Sequence, residues 1–153
     1  KILSFREGKK SEETNFSYPS ASRTIKETKN YAENLHITEI IENERVVEKT
    51  TRKDGNFKEL IRWEYDSKDN ISMKFRRSSG KRERWLYRYE NNNVLVEEVY
   101  SVNENTRKVV QYREEDRRTE TLYRKGTPFL EVYYQGNVKE GERLLPSAGN
   151  REN

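Results

Sequence analysis

Cysteine is absent, which removes disulfide frameworks, thiolate zinc sites and cysteine nucleophiles. A single histidine, His36, cannot build a His/Cys metal cluster. Lying in a β-like stretch beside Ile37, it reads more readily as a surface or packing residue than as a general base. The seven glycines fall mainly in turn-like contexts, with no phosphate-cradling loop, nucleophile elbow or EF-hand pattern, so no cofactor site is expected. No apolar run approaches the ~18 residues that a membrane-spanning helix needs, and no leader peptide is visible. The chain opens on Lys1 rather than methionine, which fits removal of a segment upstream. Apolar residues are scarce, at 31% against 38% charged, a balance near that of disordered chains.

Against disorder stand ten tyrosines, five phenylalanines and two tryptophans. A thin fold reconciles the two: aromatic rings hold a small core while charged side chains coat a large surface, as in a single layer of sheet. The length of 153 residues suits one structural domain. A net charge of +4 is too small by itself to announce nucleic acid or membrane.

The rings recur on a beat. Arg62-Trp63-Glu64-Tyr65 returns as Arg84-Trp85-Leu86-Tyr87, 22 residues later, and Tyr89 to Tyr100 and Tyr112 to Tyr123 are each 11 apart. A strand of about seven residues plus a turn of about four accounts for this beat, so 22 residues make one hairpin and the whole an antiparallel meander. The alternation predicts strands over 57–65, 71–77, 82–89, 94–102, 106–113, 117–124 and 128–134, with a last one near 138–144. The breaks carry turn chemistry, among them Asp54-Gly55-Asn56, Ser79-Gly80, Asn91-Asn92-Asn93, Asn103-Glu104, Lys125-Gly126 and Gly136-Asn137.

Residues 1–56 are less patterned and are expected to pack on the sheet as strands or a short helix. Ile2–Phe5 suits a short strand and Gly8–Ser11 a turn or loop, while Phe16–Pro19 is extended. Arg23–Asn34 reads as a helix capped by Ser22, with a strand through Thr24–Lys26 as the alternative. Leu35–Thr51, rich in β-branched residues, reads as one or two strands broken at Asn43-Glu44. Residues 57–145 form the meander, and 146–153 are expected to be a flexible tail. The fold class is therefore mainly β, partly single-layer or covered on its aromatic face by the N-terminal segment.

Alternation sorts the side chains into two faces. One carries Phe57, Ile61, Trp63, Tyr65, Ile71, Met73, Phe75, Trp85, Tyr87, Tyr89, Tyr100, Tyr112 and Tyr123. It is either a core awaiting a cover or a groove for a partner, sugar or lipid. The other face gathers Lys74, Arg76, Arg82, Arg84, Arg88, Arg107, Arg113, Arg118 and Arg124. It is either a solvated surface paired with glutamates or a site for an anionic partner: nucleic acid, acidic lipid or acidic glycan. Rings and bases on opposite faces argue against a single-stranded nucleic-acid site, which needs both together. Carboxylate clusters such as Glu97-Glu98 and Glu114-Glu115-Asp116 supply the residue type of a glycosidase pair, but in turns they read as solvated.

Units such as Thr121-Leu122-Tyr123-Arg124-Lys125-Gly126 and Val132-Tyr133-Tyr134-Gln135-Gly136-Asn137 resemble the hairpins of bacterial YD-type and MORN-type repeat proteins. The likeness covers about 57–137, and the earlier units carry Asp or Asn in place of the glycine. The charged meander with aromatic ribs is also similar to the single-layer sheets of bacterial outer-surface lipoproteins. These likenesses imply a non-enzymatic binding or scaffold protein of the cell envelope or secreted fraction, with a protein as its partner. The alternative they imply is a cytoplasmic immunity or antitoxin-like protein that binds an anionic partner through the basic face.

Overall fold

The computed structural model describes residues 1–146; most of the expected tail, 147–153, lies outside them. The first five strands are β1 (Ile2–Arg6), β2 (Lys9–Ser20), β3 (Arg23–Asn30), β4 (Leu35–Glu42) and β5 (Arg45–Lys53). Then come β6 (Asn56–Tyr65), β7 (Ile71–Ser78), β8 (Lys81–Glu90) and β9 (Val94–Val102). The last four are β10 (Asn105–Arg113), β11 (Arg117–Arg124), β12 (Thr127–Gln135) and β13 (Val138–Leu144). All thirteen lie in one antiparallel, open sheet in chain order. The only helical piece among the described residues is a 3-10 turn at Asn91–Asn93. From β6 onward each strand starts and ends within two residues of its predicted bounds, because its ends are fixed by turn residues that the sequence displays.

The N-terminal stretch corrects the expectation of a helix over Arg23–Asn34. Its residues form β3 and the following turn, with Thr24 opposite Ile41 and Ile25 opposite Ile40. Each such β-branched pair is worth about 0.2–1 kcal/mol in a ladder, while a short helix here had only a broken apolar stripe to bury. Nor do the first 56 residues cover the sheet within their own unit: β5 pairs edge-on with β6, Lys49 opposite Ile61, so they extend the layer.

By internal contacts the chain divides into two compact units. One is Lys1–Glu64 with Phe75–Gly80, and the other is Tyr65–Lys74 with the chain from Lys81 onward. In the first the buried apolar side chain is Leu60; in the second they are Val110 and Val132. Most other strand side chains are half-buried. Such a layer rests on cross-strand pairs rather than on a filled interior.

Six connections are two-residue turns with φ positive at both positions: Glu7-Gly8, Asn43-Glu44, Asp54-Gly55, Ser79-Gly80, Asn103-Glu104 and Lys125-Gly126. Their hand matches the strand twist, which ordinary turns would oppose. After five of these turns, and also after Gly136-Asn137, the pairing slips by one residue across the next strand. The residues left over are Ser11, Val47, Lys58, Arg107, Phe129 and Glu140, each four positions after the first residue of its turn. Such a bulge deepens the local twist, and it reverses which side of the sheet the residues before it face. Phe57 thus pairs with Arg52 while Ile61 pairs with Lys49, placing Phe57 on the opposite side from Ile61 and Trp63.

Candidate functional site: aromatic rows with embedded carboxylates

In the second unit the aromatic residues largely gather as the sequence suggests. Trp85 stands opposite Tyr100, their ring centroids 5.1 Å apart and tilted by 35°. The next row runs Tyr87, Glu98, Val110, Glu120, Val132, Glu142 across β8 to β13. Its glutamates are 22 residues apart, so the repeat of the sequence appears here as a row of the sheet. Beyond it Tyr112, Arg118, Tyr134 and Lys139 stand in line. Trp63, Tyr65, Trp85, Tyr87, Tyr100 and Tyr112 are all half-buried. Neither tryptophan is sealed in a core.

Tyr123 departs from that set. Leu122 pairs with Lys108, which also pairs with Tyr100, so Leu122 faces the Trp85 side and its successor Tyr123 faces the other.

The sequence did not single out the carboxylates set among these rings. Glu83, only 6% exposed, accepts a hydrogen bond from the Tyr100 hydroxyl at 2.6 Å and sits 2.9 Å from Lys81 Nζ. In the first unit Glu13 accepts from Tyr31 at 2.9 Å and from Asn15 at 3.0 Å, and it pairs with Lys1 at 3.0 Å and with Lys10. The Lys10 ammonium, followed by the other donors, holds the Glu13 carboxyl well below the usual range. Glu131 is lowered in the same way by Tyr133 and then Arg143. Burial, reinforced by the Glu98 carboxylate, pushes the Tyr87 hydroxyl up to about 12. Tyr112 is raised by burial and then Glu98, and Tyr89 by burial and then Asp66 and Glu98.

The basic candidates divide. Arg84 faces Ser101, Arg88 faces Glu97 and Arg113 faces Arg117; with Arg82 they hold the side away from Trp85. Lys74 and Arg118 do not. The Lys74 ammonium stands 5.1 Å from the Trp85 ring, and Arg118 lies opposite Tyr112. Arg124, two residues beyond Leu122, lies 4.7 Å from the Phe129 ring, and Arg107 is a bulge residue. Alternation holds along β11, so Arg118 and Arg124 were misplaced together with Tyr123, whereas Arg107 is set by its bulge.

Several of these charges are also neutralised. Arg76 Nε is 2.6 Å from Glu59; Arg88 reaches Glu90 at 2.9 Å and Glu97 at 3.6 Å; Arg118 meets Glu120 at 3.1 Å.

His36 stands between Lys29 and Arg52, its Nε2 3.6 Å from Glu27 and without a hydrogen-bond partner among the described residues. A polar hollow of about 340 Å³ between the turns at 66–70 and 91–93 is lined by Asp66, Asn70 and Asn93. Asp66 Oδ1 already accepts from the backbone of Lys68 and Asn70 at 2.8 and 3.0 Å, so the hollow is internally satisfied. No protein-family model matches the chain, and no curated protein is significantly similar to it.

Proposed function

We propose that the chain is a non-enzymatic binding or scaffold protein of the bacterial cell envelope or secreted fraction, which engages a protein partner through the aromatic side of its second unit. The observation that carries this reading is the open layer itself. Trp85, Tyr87, Tyr100 and Tyr112 are only half-buried, and within that unit the described elements are strands of the same sheet plus one 3-10 turn. A patch of rings on a solvated layer favours association. Glu13 and Glu131 have lowered carboxyls, the reverse of what a general acid needs. The envelope location rests on the likeness of the hairpin units to envelope repeat and lipoprotein sheets.

Photo-crosslinking tests the reading. A benzoylphenylalanine at Tyr112 is expected to yield a discrete adduct in the envelope or secreted fraction, whereas one at Val109, on the opposite side, yields none. Equal labelling from both positions, or no adduct from either, would remove the aromatic side as the partner surface.

A further inference from the structure

On the Trp85 side of the second unit, one cation of the chain is already held by rings and a carboxylate. Arg118 lies opposite both Tyr112 and Tyr134, with its guanidinium 4.1 Å from the Tyr134 ring centroid. Its Nε is 3.1 Å from Glu120 Oε1, and its terminal nitrogen donates to the Gly136 carbonyl at 2.6 Å. Lys108 stands 3.8 Å from the same Glu120. Glu120 is therefore supplied with positive charge from within.

One repeat earlier, 22 residues back, the same positions carry Glu98 for Glu120, Tyr112 for Tyr134 and Val96 for Arg118. Valine brings no charge, and Val96 is moreover the extra residue where the β8–β9 pairing slips, so the parallel with Arg118 is one of repeat position. Glu98 faces Tyr87 on one side and Val110 on the other, and it has no ion pair among the described residues. Tyr87, Tyr89 and Tyr112 all sense its negative charge. Nearby cations are committed elsewhere: Lys108 to Glu120, and Lys74 to the Trp85 ring. A carboxylate that meets tyrosines, Tyr112 hydrogen-bonding it, but no cation, and that is partly removed from water, suits a large and weakly hydrated cation such as guanidinium or an alkylammonium better than a small, strongly hydrated ion.

We propose that Glu98, Tyr87 and Tyr112 form a receptor for an arginine or lysine side chain presented by an extended segment of a protein partner, reproducing between molecules what Arg118 does beside Glu120 and Tyr134. The Trp85–Tyr100 row lies two residues along the strand from the Tyr87–Glu98 row, about 7 Å away. A segment with an apolar residue two positions from its basic one would therefore place that side chain on the rings. Lys74 above Trp85 disfavours a second cation there. The inference rests on the reading of the aromatic side as the partner surface and adds the chemistry of what it receives.

The test uses the peptide acetyl-Ser-Arg-Ser-Leu-Ser-amide and its glutamine-for-arginine counterpart, titrated into isotopically labelled protein by NMR. Shifts are expected to centre on Tyr87, Glu98 and Tyr112, with the glutamine peptide weaker by at least about tenfold. Glu98→Gln should cause a similar loss. Glu98→Asp, which keeps the charge, should retain part of the binding, and the dispersed spectrum of Glu98→Gln shows that its loss is not a loss of fold. Equal affinity for the two peptides, shifts centred elsewhere, or no binding would each overturn the proposal. A Tyr112 crosslink that persists in Glu98→Gln would reject the cation receptor while leaving the aromatic side as the partner surface, and loss of every crosslink would reject both.

Discussion

The hydroxyl of Tyr100 on β9 donates a 2.6 Å hydrogen bond to the carboxylate of Glu83 on β8, where Glu83 lies buried in the sheet. The same contact recurs between Tyr31 and Glu13 at 2.9 Å and between Tyr133 and Glu131 at 2.6 Å. In a layer with so little apolar interior, the Tyr100–Glu83 contact fastens two strands and the Tyr31–Glu13 contact fastens a turn to a strand, while Tyr133 and Glu131 belong to one strand; all three let rings serve as ribs without burying an unsatisfied hydroxyl.

Tyr100→Phe should therefore destabilise the protein by about 1.5–3 kcal/mol, the range for hydrogen bonds to charged groups. Tyr133→Phe should cost less: both carboxylates keep a cation, Lys81 for Glu83 and Arg143 for Glu131, but Glu83 is the more deeply buried. Urea unfolding of the two variants measures this, and an undiminished midpoint for Tyr100→Phe would contradict it.

Stability should fall at alkaline pH. The fold raises the hydroxyl of Tyr87 to about 12 and moves those of Tyr89, Tyr100 and Tyr112 in the same direction, so the neutral phenols belong to the folded state. Their contribution is complete below the unfolded value near 10 and is lost as pH rises through the folded values. Tyr87→Phe is expected to flatten the decline of melting temperature between about pH 10 and 12; an unchanged slope would count against it.

At acid pH the sign reverses. The Glu13 carboxyl is lowered by Lys10, Asn15, Lys1 and Tyr31, so its contribution is present above the unfolded value near 4.3 and disappears as pH falls toward the folded one. Glu13→Gln should make the acid limb of the stability profile shallower. Calorimetry from about pH 5 downward reads this directly.

Gly136 occupies φ +56°, and a Cβ there would stand 3.1 Å from Asp116 Oδ2. Gly136→Ala should cost about 1–2 kcal/mol for the left-handed backbone, plus the displacement of Asp116. Gly126→Ala, at φ +79° with open space around it, incurs the backbone cost alone. Adding Asp116→Ala should recover part of the Gly136→Ala loss; no recovery would show that the close approach is harmless.

Heparin retention should be weak. Arg76 and Arg88 pair with carboxylates on one side or the other, and Arg118 is drawn to the aromatic rows. This leaves Arg82, Arg84, Arg107 and Arg113 exposed as a small set. Tight retention that falls steeply with salt and is lost in Arg84→Glu would instead favour the anionic partner.

Much of the architecture was legible from residue types. The strands from β6 to β13 could be bounded because Gly, Asn and Asp mark the connections, and the 22-residue beat became the Glu98–Glu120–Glu142 row. The candidate site was legible only in part. Trp85, Tyr87, Tyr100 and Tyr112 could be grouped by alternation, but Glu98 went unnoticed within an ordinary acidic pair. The signal that could have found it is the 22-residue comparison of Val96-Glu97-Glu98 with Arg118-Thr119-Glu120, where a charge appears in one repeat and is missing from the other.

The sequence by itself determined that the chain from Phe57 onward is a meander of hairpins, since the turn residues and the alternation of apolar side chains are local properties that need no distant partner. The tertiary structure alone decided which side each residue faces and what it meets there. One extra residue after a turn reverses the alternation, and the bulge that accommodates it is defined only by the pairing of two strands. That is why Phe57 left the side of Trp63, and register likewise put Arg118 between two tyrosines and left Glu98 facing rings without a cation.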